Sequence, residues 1–114
     1  MRLALTLSRD GNPEIYSLRL SDKKLKRLTS GAAIDTEPVW SPDGETVYFS
    51  SNRAGKFDIY RKPLSGVGEA ELVAEFERNA FPESVSPDGR FLAVLAEGQD
   101  SADTWTVDLQ NGAE

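Results

Sequence analysis

The chain has 114 residues, room for one small domain. Thirteen lysines and arginines against nineteen aspartates and glutamates leave a net charge of −6, which disfavours binding to nucleic-acid phosphates. Cysteine and histidine are absent, so disulfides, thiolate chemistry, zinc sites built on nitrogen or sulfur, and serine triads that rely on imidazole are excluded.

The amino-terminal Met1 to Leu7 passes at once into Ser8-Arg9-Asp10-Gly11, without the longer apolar run and small-residue cleavage site of a signal peptide. Residues 2–7, 14–20 and 25–29 read as three strands. Residues 37–41, 46–51, 58–63 and 70–74 read as four more, and 82–86, 91–96 and 103–109 as a last three. The runs Thr46-Val47-Tyr48-Phe49-Ser50 and Phe91-Leu92-Ala93-Val94 are rich in aromatic, aliphatic and β-branched residues and are bounded by turn residues. The longest apolar stretch, Phe91 to Ala96, is far short of the ~20 residues of a spanning helix, so no membrane insertion is expected. Glu69 to Phe76 has some amphipathic character but falls in the frame of an outer strand and a loop.

The strands repeat. Trp40-Ser41-Pro42-Asp43-Gly44 returns as Val85-Ser86-Pro87-Asp88-Gly89, an offset of 45 from Pro42 to Pro87. Glu14-Ile15-Tyr16 returns as Asp58-Ile59-Tyr60, an offset of 44, and again as Asp103-Thr104-Trp105. A period near 45 is that of a propeller blade with four strands, here called a to d from the centre outward. The expected fold is all-β, a partial β-propeller of four-stranded antiparallel blades. Residues 1–114 form a single segment, with a partial blade over 1–30, a complete one over 31–75 and a partial one over 76–114.

Asp35-Thr36-Glu37-Pro38-Val39-Trp40-Ser41-Pro42-Asp43-Gly44, followed by Val47-Tyr48-Phe49-Ser50-Ser51-Asn52-Arg53 and Asp58-Ile59-Tyr60, resembles the TolB-type β-propeller repeat. The likeness covers nearly the whole chain. The third repeat departs from it, with Glu97-Gly98-Gln99 in place of Asn52-Arg53-Ala54 and Val85 in place of Trp40. Repeats of this type occur in a periplasmic protein that binds the peptidoglycan-associated lipoprotein. They also occur in the propellers of prolyl-oligopeptidase-like peptidases and in regions attached to bacterial serine/threonine kinases. The resemblance therefore implies a non-catalytic scaffold for a protein or peptide partner, in the periplasm or cell envelope. The alternative is an accessory propeller of such a peptidase or kinase. Closed propellers have ~4–8 blades, so about two and a half imply part of a longer propeller; open blade edges could instead join copies into a homo-oligomer.

No catalytic, cofactor-binding or metal site is expected. A serine nucleophile lacks an imidazole base, and Ser21-Asp22-Lys23 falls in a hairpin loop. Asp35 and Glu37 are the carboxylates closest together near an inner strand, and capping or solvation accounts for them. Asp100, Asp103 and Asp108 lack the spacing of a calcium loop. Asp43 and Asp88 belong to turns, and Trp40, Tyr48, Phe49, Tyr60, Phe91 and Trp105 read as packing between sheets. In the propeller frame the d–a connections and b–c loops share one rim. That places Arg9, Asp35, Asn52, Arg53 and Arg78 together as candidate partner-binding residues, with Lys56 nearby. Arginine suits such a role because it forms bidentate pairs and is enriched at interface hot spots. The competing reading is that the repeated arginines tie one blade to the next.

Overall fold

The computed structural model of the chain describes residues 2–9, 11–98 and 101–110. Within them are ten strands and no helix. The first sheet holds β1 (Arg2–Arg9), β2 (Asn12–Arg19) and β3 (Lys24–Arg27), in that order. The second holds β4 (Asp35–Trp40), β5 (Thr46–Ser51), β6 (Asp58–Pro63) and β7 (Glu71–Ala74). In the third, β8 (Ala80–Val85), β9 (Phe91–Glu97) and β10 (Ala102–Asp108) pair in sequence. Every pairing is antiparallel. The sheets are meanders of neighbouring strands stacked face to face, the blade architecture that the repeat implies.

The core lies between the sheets. Ile15 and Leu28 of the first sheet region pack with Val47, Phe49 and Tyr60 of the second. On the other side of the second sheet, Tyr48, Ile59 and Ala74 pack with Ala80, Leu92, Val94, Ala96 and Val107 of the third. Successive side chains of a strand point to opposite faces. Thus Val47 and Phe49 fill one interface while Tyr48 between them fills the other. In β9, Leu92, Val94 and Ala96 are buried while the alternate Phe91, Ala93 and Leu95 are only half-buried. One face of the third sheet is thus left outside the core.

The inner strands begin two residues earlier than the sequence pattern suggests, at Asp35 and Ala80, because these residues still pair with Ser51 and Ala96. Both are then interrupted. The register shifts between Thr36 and Val39 in β4 and between Pro82 and Ser84 in β8. These bulges accommodate Pro38 and Pro82, which cannot donate to a ladder. Glu37 sits at the first bulge with φ +56°, a conformation uncommon for a residue with a side chain.

Each Ser-Pro-Asp-Gly segment is a hydrogen-bonded turn. The Gly44 amide donates to the Ser41 carbonyl at 2.9 Å, and Asp43 Oδ1 accepts from the Ser41 hydroxyl at 2.6 Å and the Glu45 amide at 3.0 Å. The Ser41 hydroxyl in turn accepts from the Thr46 amide, so the turn hands the chain directly into β5. Ser86, Asp88, Gly89, Arg90 and Phe91 reproduce this network 45 residues later. Gly44 and Gly89 have φ of +73° and +76°, where a Cβ is strained. The serine hydroxyl, and then the backbone amide, hold the carboxyls of Asp43 and Asp88 below the usual aspartate range.

Phe49→Ala empties a fully buried site between two sheets and is expected to cost about 3–5 kcal/mol. Chemical denaturation read by tryptophan fluorescence checks this, and a loss under 1 kcal/mol would contradict the assignment of the core. The turn carboxylates give a pH test. Their folded-state pKa values lie below the unfolded value of 3.8, so their contribution is present above it and is lost as pH falls through the folded value. The melting temperature of Asp43→Asn/Asp88→Asn should therefore fall less steeply than that of the parent chain below pH 3.8.

Candidate functional site

The rim that carries the β5–β6 turn and the sheet-to-sheet connections gathers most of the charged candidates. Asp35, the first residue of β4, is fully buried and lies opposite Ser51 in register. Arg53 bends back over this pair. Its Nη2 is 3.0 Å from Asp35 Oδ1, and its Nε donates to the Ser51 hydroxyl at 2.9 Å. The guanidinium also lies 4.9 Å from the centre of the Tyr60 ring and 5.7 Å from that of Phe49, within cation–π range. Arg53 thus closes the end of the second sheet by charge and by stacking, and its side chain is 28% exposed.

Across the junction stands a second buried carboxylate. Glu14 in β2 accepts from Arg27 Nη2 at 2.9 Å and from the Thr29 hydroxyl at 3.1 Å. That hydroxyl accepts from the Ile15 amide, and Arg27 Nε donates to the Thr29 carbonyl, so the three residues form one unit. Burial pushes the Glu14 carboxyl above its ordinary pKa. Arg27 and Thr29 oppose the shift, while the Asp35 carboxyl adds to it. Asp35 Oδ2 is buried without a hydrogen-bond partner.

The remaining polar groups fasten connections. Asn52 Oδ1 accepts from the Ile34 amide at 2.8 Å, holding the β3–β4 connection to the β5–β6 turn. Asn79 does the same one junction on, accepting from the Phe57 amide at 2.9 Å and donating to Glu97 at 3.2 Å. Lys56 pairs with the buried Asp58. Arg78 is exposed on the β7–β8 connection. The Arg9 side chain lies outside the described residues.

Of the five candidates, Asp35 and Arg53 meet directly and Asn52 adjoins them, whereas Arg78 belongs to the next connection. Asp35 and Glu37 do not form a carboxylate pair: the bulge separates them, leaving Asp35 buried and Glu37 exposed. The carboxyl whose charge acts on that of Asp35 is Glu14, across the junction. Sequence reasoning passed over Glu14, Arg27, Thr29 and Asn79. The recurrence of a carboxylate at Glu14 and Asp58, before Ile-Tyr, was the available signal. Asp22 bonds Arg19 at the surface, Asp108 accepts from Arg90 at 3.1 Å, and Asp100 lies outside the described residues. Among the described residues no three acidic groups converge on a metal-sized site.

The profile of the TolB beta propeller domain matches residues 1–114. The chain belongs to the TolB β-propeller family. It is 30% identical to the Atu1656 protein of Agrobacterium fabrum over 95 residues, which is 83% of this chain and 32% of that protein. It is 34% identical over 59 residues to the Tol-Pal system protein TolB of Desulfosudis oleivorans, covering 52% of this chain and 14% of that one. The crystal structure of TolB from Acinetobacter baumannii superposes with a TM-score of 0.84 at 32% identity, over 97% of this chain and 28% of that chain. The chain thus spans about a third or less of these three relatives.

In this TolB-type module, Arg53→Ala leaves the buried Asp35 carboxylate without its charged donor. The expected cost is about 1–3 kcal/mol, read as a lower urea midpoint. An unchanged midpoint would free Arg53 from the structural role.

Proposed function

We propose that this TolB-type propeller module is a non-catalytic scaffold whose loop rim recognises a protein or peptide partner in the periplasm or cell envelope. The observation that carries the reading is the match of the whole chain to the TolB propeller domain, with relatives that are Tol-Pal system proteins. The local chemistry agrees. The buried carboxylates are occupied in joining sheets, and no histidine or cysteine exists to activate a nucleophile. What the rim offers a partner is the exposed Arg78 and the partly exposed Arg53 and Asn52, on a backbone held by Asn52 and Asn79. The same family match supports this reading over an accessory propeller of a peptidase or kinase.

The partner class with the strongest support is a peptidoglycan-associated lipoprotein. Calorimetric titration of the chain with the soluble domain of that lipoprotein should give saturable binding. Arg78→Glu should weaken it tenfold or more while leaving the melting temperature unchanged. Absence of binding would remove this partner, and an unaltered affinity in Arg78→Glu would remove the rim.

A further inference from the structure

A guanidinium has two edges on which an acceptor can be held by paired N–H groups, Nε with Nη2 and Nη1 with Nη2. In Arg53 the first edge is used inside the fold, by the Ser51 hydroxyl on Nε and by Asp35 Oδ1 on Nη2. The second edge makes no hydrogen bond to any described residue. Those two bonds and the rings of Phe49 and Tyr60 hold the side chain in place. The unused edge is therefore oriented before any ligand arrives, which lowers the entropy lost on binding.

Arg53 lines a surface pocket of about 430 Å³ together with Asn52 and the connection Ser30-Gly31-Ala32-Ala33. In a chain of net charge −6, none of these lining residues is acidic. Acceptors beside the pocket are taken up within the fold. Asn52 Oδ1 and the Asn52 carbonyl accept from the amides of Ile34 and Gly55, and the Gly31 and Ala33 carbonyls accept from Asn12 Nδ2. The donors are left over, since Asn52 Nδ2 and the amides of residues 30–33 donate to no described group. Unpaired donors beside a cation suit a ligand that only accepts, a carboxylate. A smaller pocket that Arg53 also borders contains Glu69 beside Lys62 and so holds a carboxylate of its own. Joining two sheets does not require the larger pocket. At the second junction Ala80 takes the place of Asp35, so Glu75, Phe76, Glu77 and Arg78 match residues 30–33, and Gly98 matches Arg53. Two carboxylates stand there where the first junction has Ser30 and Ala32.

We propose that this pocket binds a carboxylate of a peptide partner, at a chain terminus or on an acidic side chain, through the unused edge of Arg53. The inference rests on the rim being a recognition surface and assigns one part of that surface its ligand chemistry. Asn52 Nδ2 is the neighbouring donor, fixed in direction because Oδ1 of the same carboxamide is bonded to the Ile34 amide. Arg53 then works on both sides, with one edge fastening β4 and the other meeting the ligand. A lysine could not do both, because an ammonium has no planar pair of edges.

The test is a 15N NMR titration of the intact chain with three small compounds. Acetyl-glycylglycine ends in a free carboxylate, acetyl-aspartate amidated at its α-carboxyl carries one on the side chain, and acetyl-glycylglycine amide carries none. At least one of the carboxylates should shift the amides of residues 31–33 and the Asn52 side-chain amide saturably, with a dissociation constant on the order of 1 mM. The tighter of the two identifies the source, and the neutral amide should shift neither group. Ala32→Glu gives the pocket the residue that the second repeat has at the matching position, Glu77, and should weaken binding tenfold or more with the melting temperature unchanged. Equal shifts with the neutral amide, shifts centred on Arg78 or Lys62, or an unaltered affinity in Ala32→Glu would overturn the pocket. If Ala32→Glu fails to fold, the contrast between charged and neutral compounds on the parent chain decides alone. These compounds need no partner protein. Failure of the lipoprotein to bind therefore leaves the pocket standing, whereas failure of the carboxylates removes the pocket and leaves the rest of the rim.

Discussion

Strand β5 is apolar or neutral along its length and buried on both faces, with Val47 and Phe49 turned to the first sheet and Tyr48 to the third. The rest of the molecule is organised by that double burial. A sheet in the middle of a stack has no solvated face, so its central strand cannot use the apolar-in, polar-out alternation of a half-buried sheet. Strand β9, packed on one side only, keeps that alternation. The two strands occupy the same position in the repeat. Their different burial follows from their place in the stack.

Stacking sheets also brings strand ends together, and those ends carry polar groups. Glu14, Asp35 and Asp58 are all buried near the junctions, where an isolated charge would be costly. The chain meets that cost differently at its two junctions. At the first it uses two arginines and a threonine hydroxyl; at the second it uses a lysine. Arg53 shows how economical the arrangement is. One guanidinium bonds Asp35 and Ser51 and covers the rings of Phe49 and Tyr60. Interactions of this kind are directional, and they fix the strand ends more closely than apolar contact would.

The same economy shapes what the rim can offer a partner. Asn52 and Asn79 spend their side chains on the connecting backbone, and Arg53 is half-committed to Asp35. Loops held in this way are pre-organised, which lowers the entropy lost on binding. The exposed Arg78 is mounted on such a loop, next to Asn79. A structural role for the repeated polar residues is compatible with the proposed recognition role of the rim, because Arg78 is exposed beside the bonds that Asn79 makes.

Strand number, sheet order and the two Ser-Pro-Asp-Gly turns were legible from residue order. Alternation, turn chemistry and the 45-residue offset are local properties, and the TolB-type repeat unites them. The candidates Asp35 and Arg53 were legible as rim residues, but the bond between them depends on an arginine folding back across a strand end. The starts of β4 and β8 were misplaced by two residues because pairing with Ser51 and Ala96, not local pattern, decides them. The influence of Asp35 on Glu14 could not be read at all, since the two lie 21 positions apart and on different sheets. Sequence by itself determined which residues form strands and turns, because backbone sterics and side-chain alternation act over a few positions. Only the tertiary structure decided which charges are buried and what each one meets, because that depends on how one sheet lies against the next.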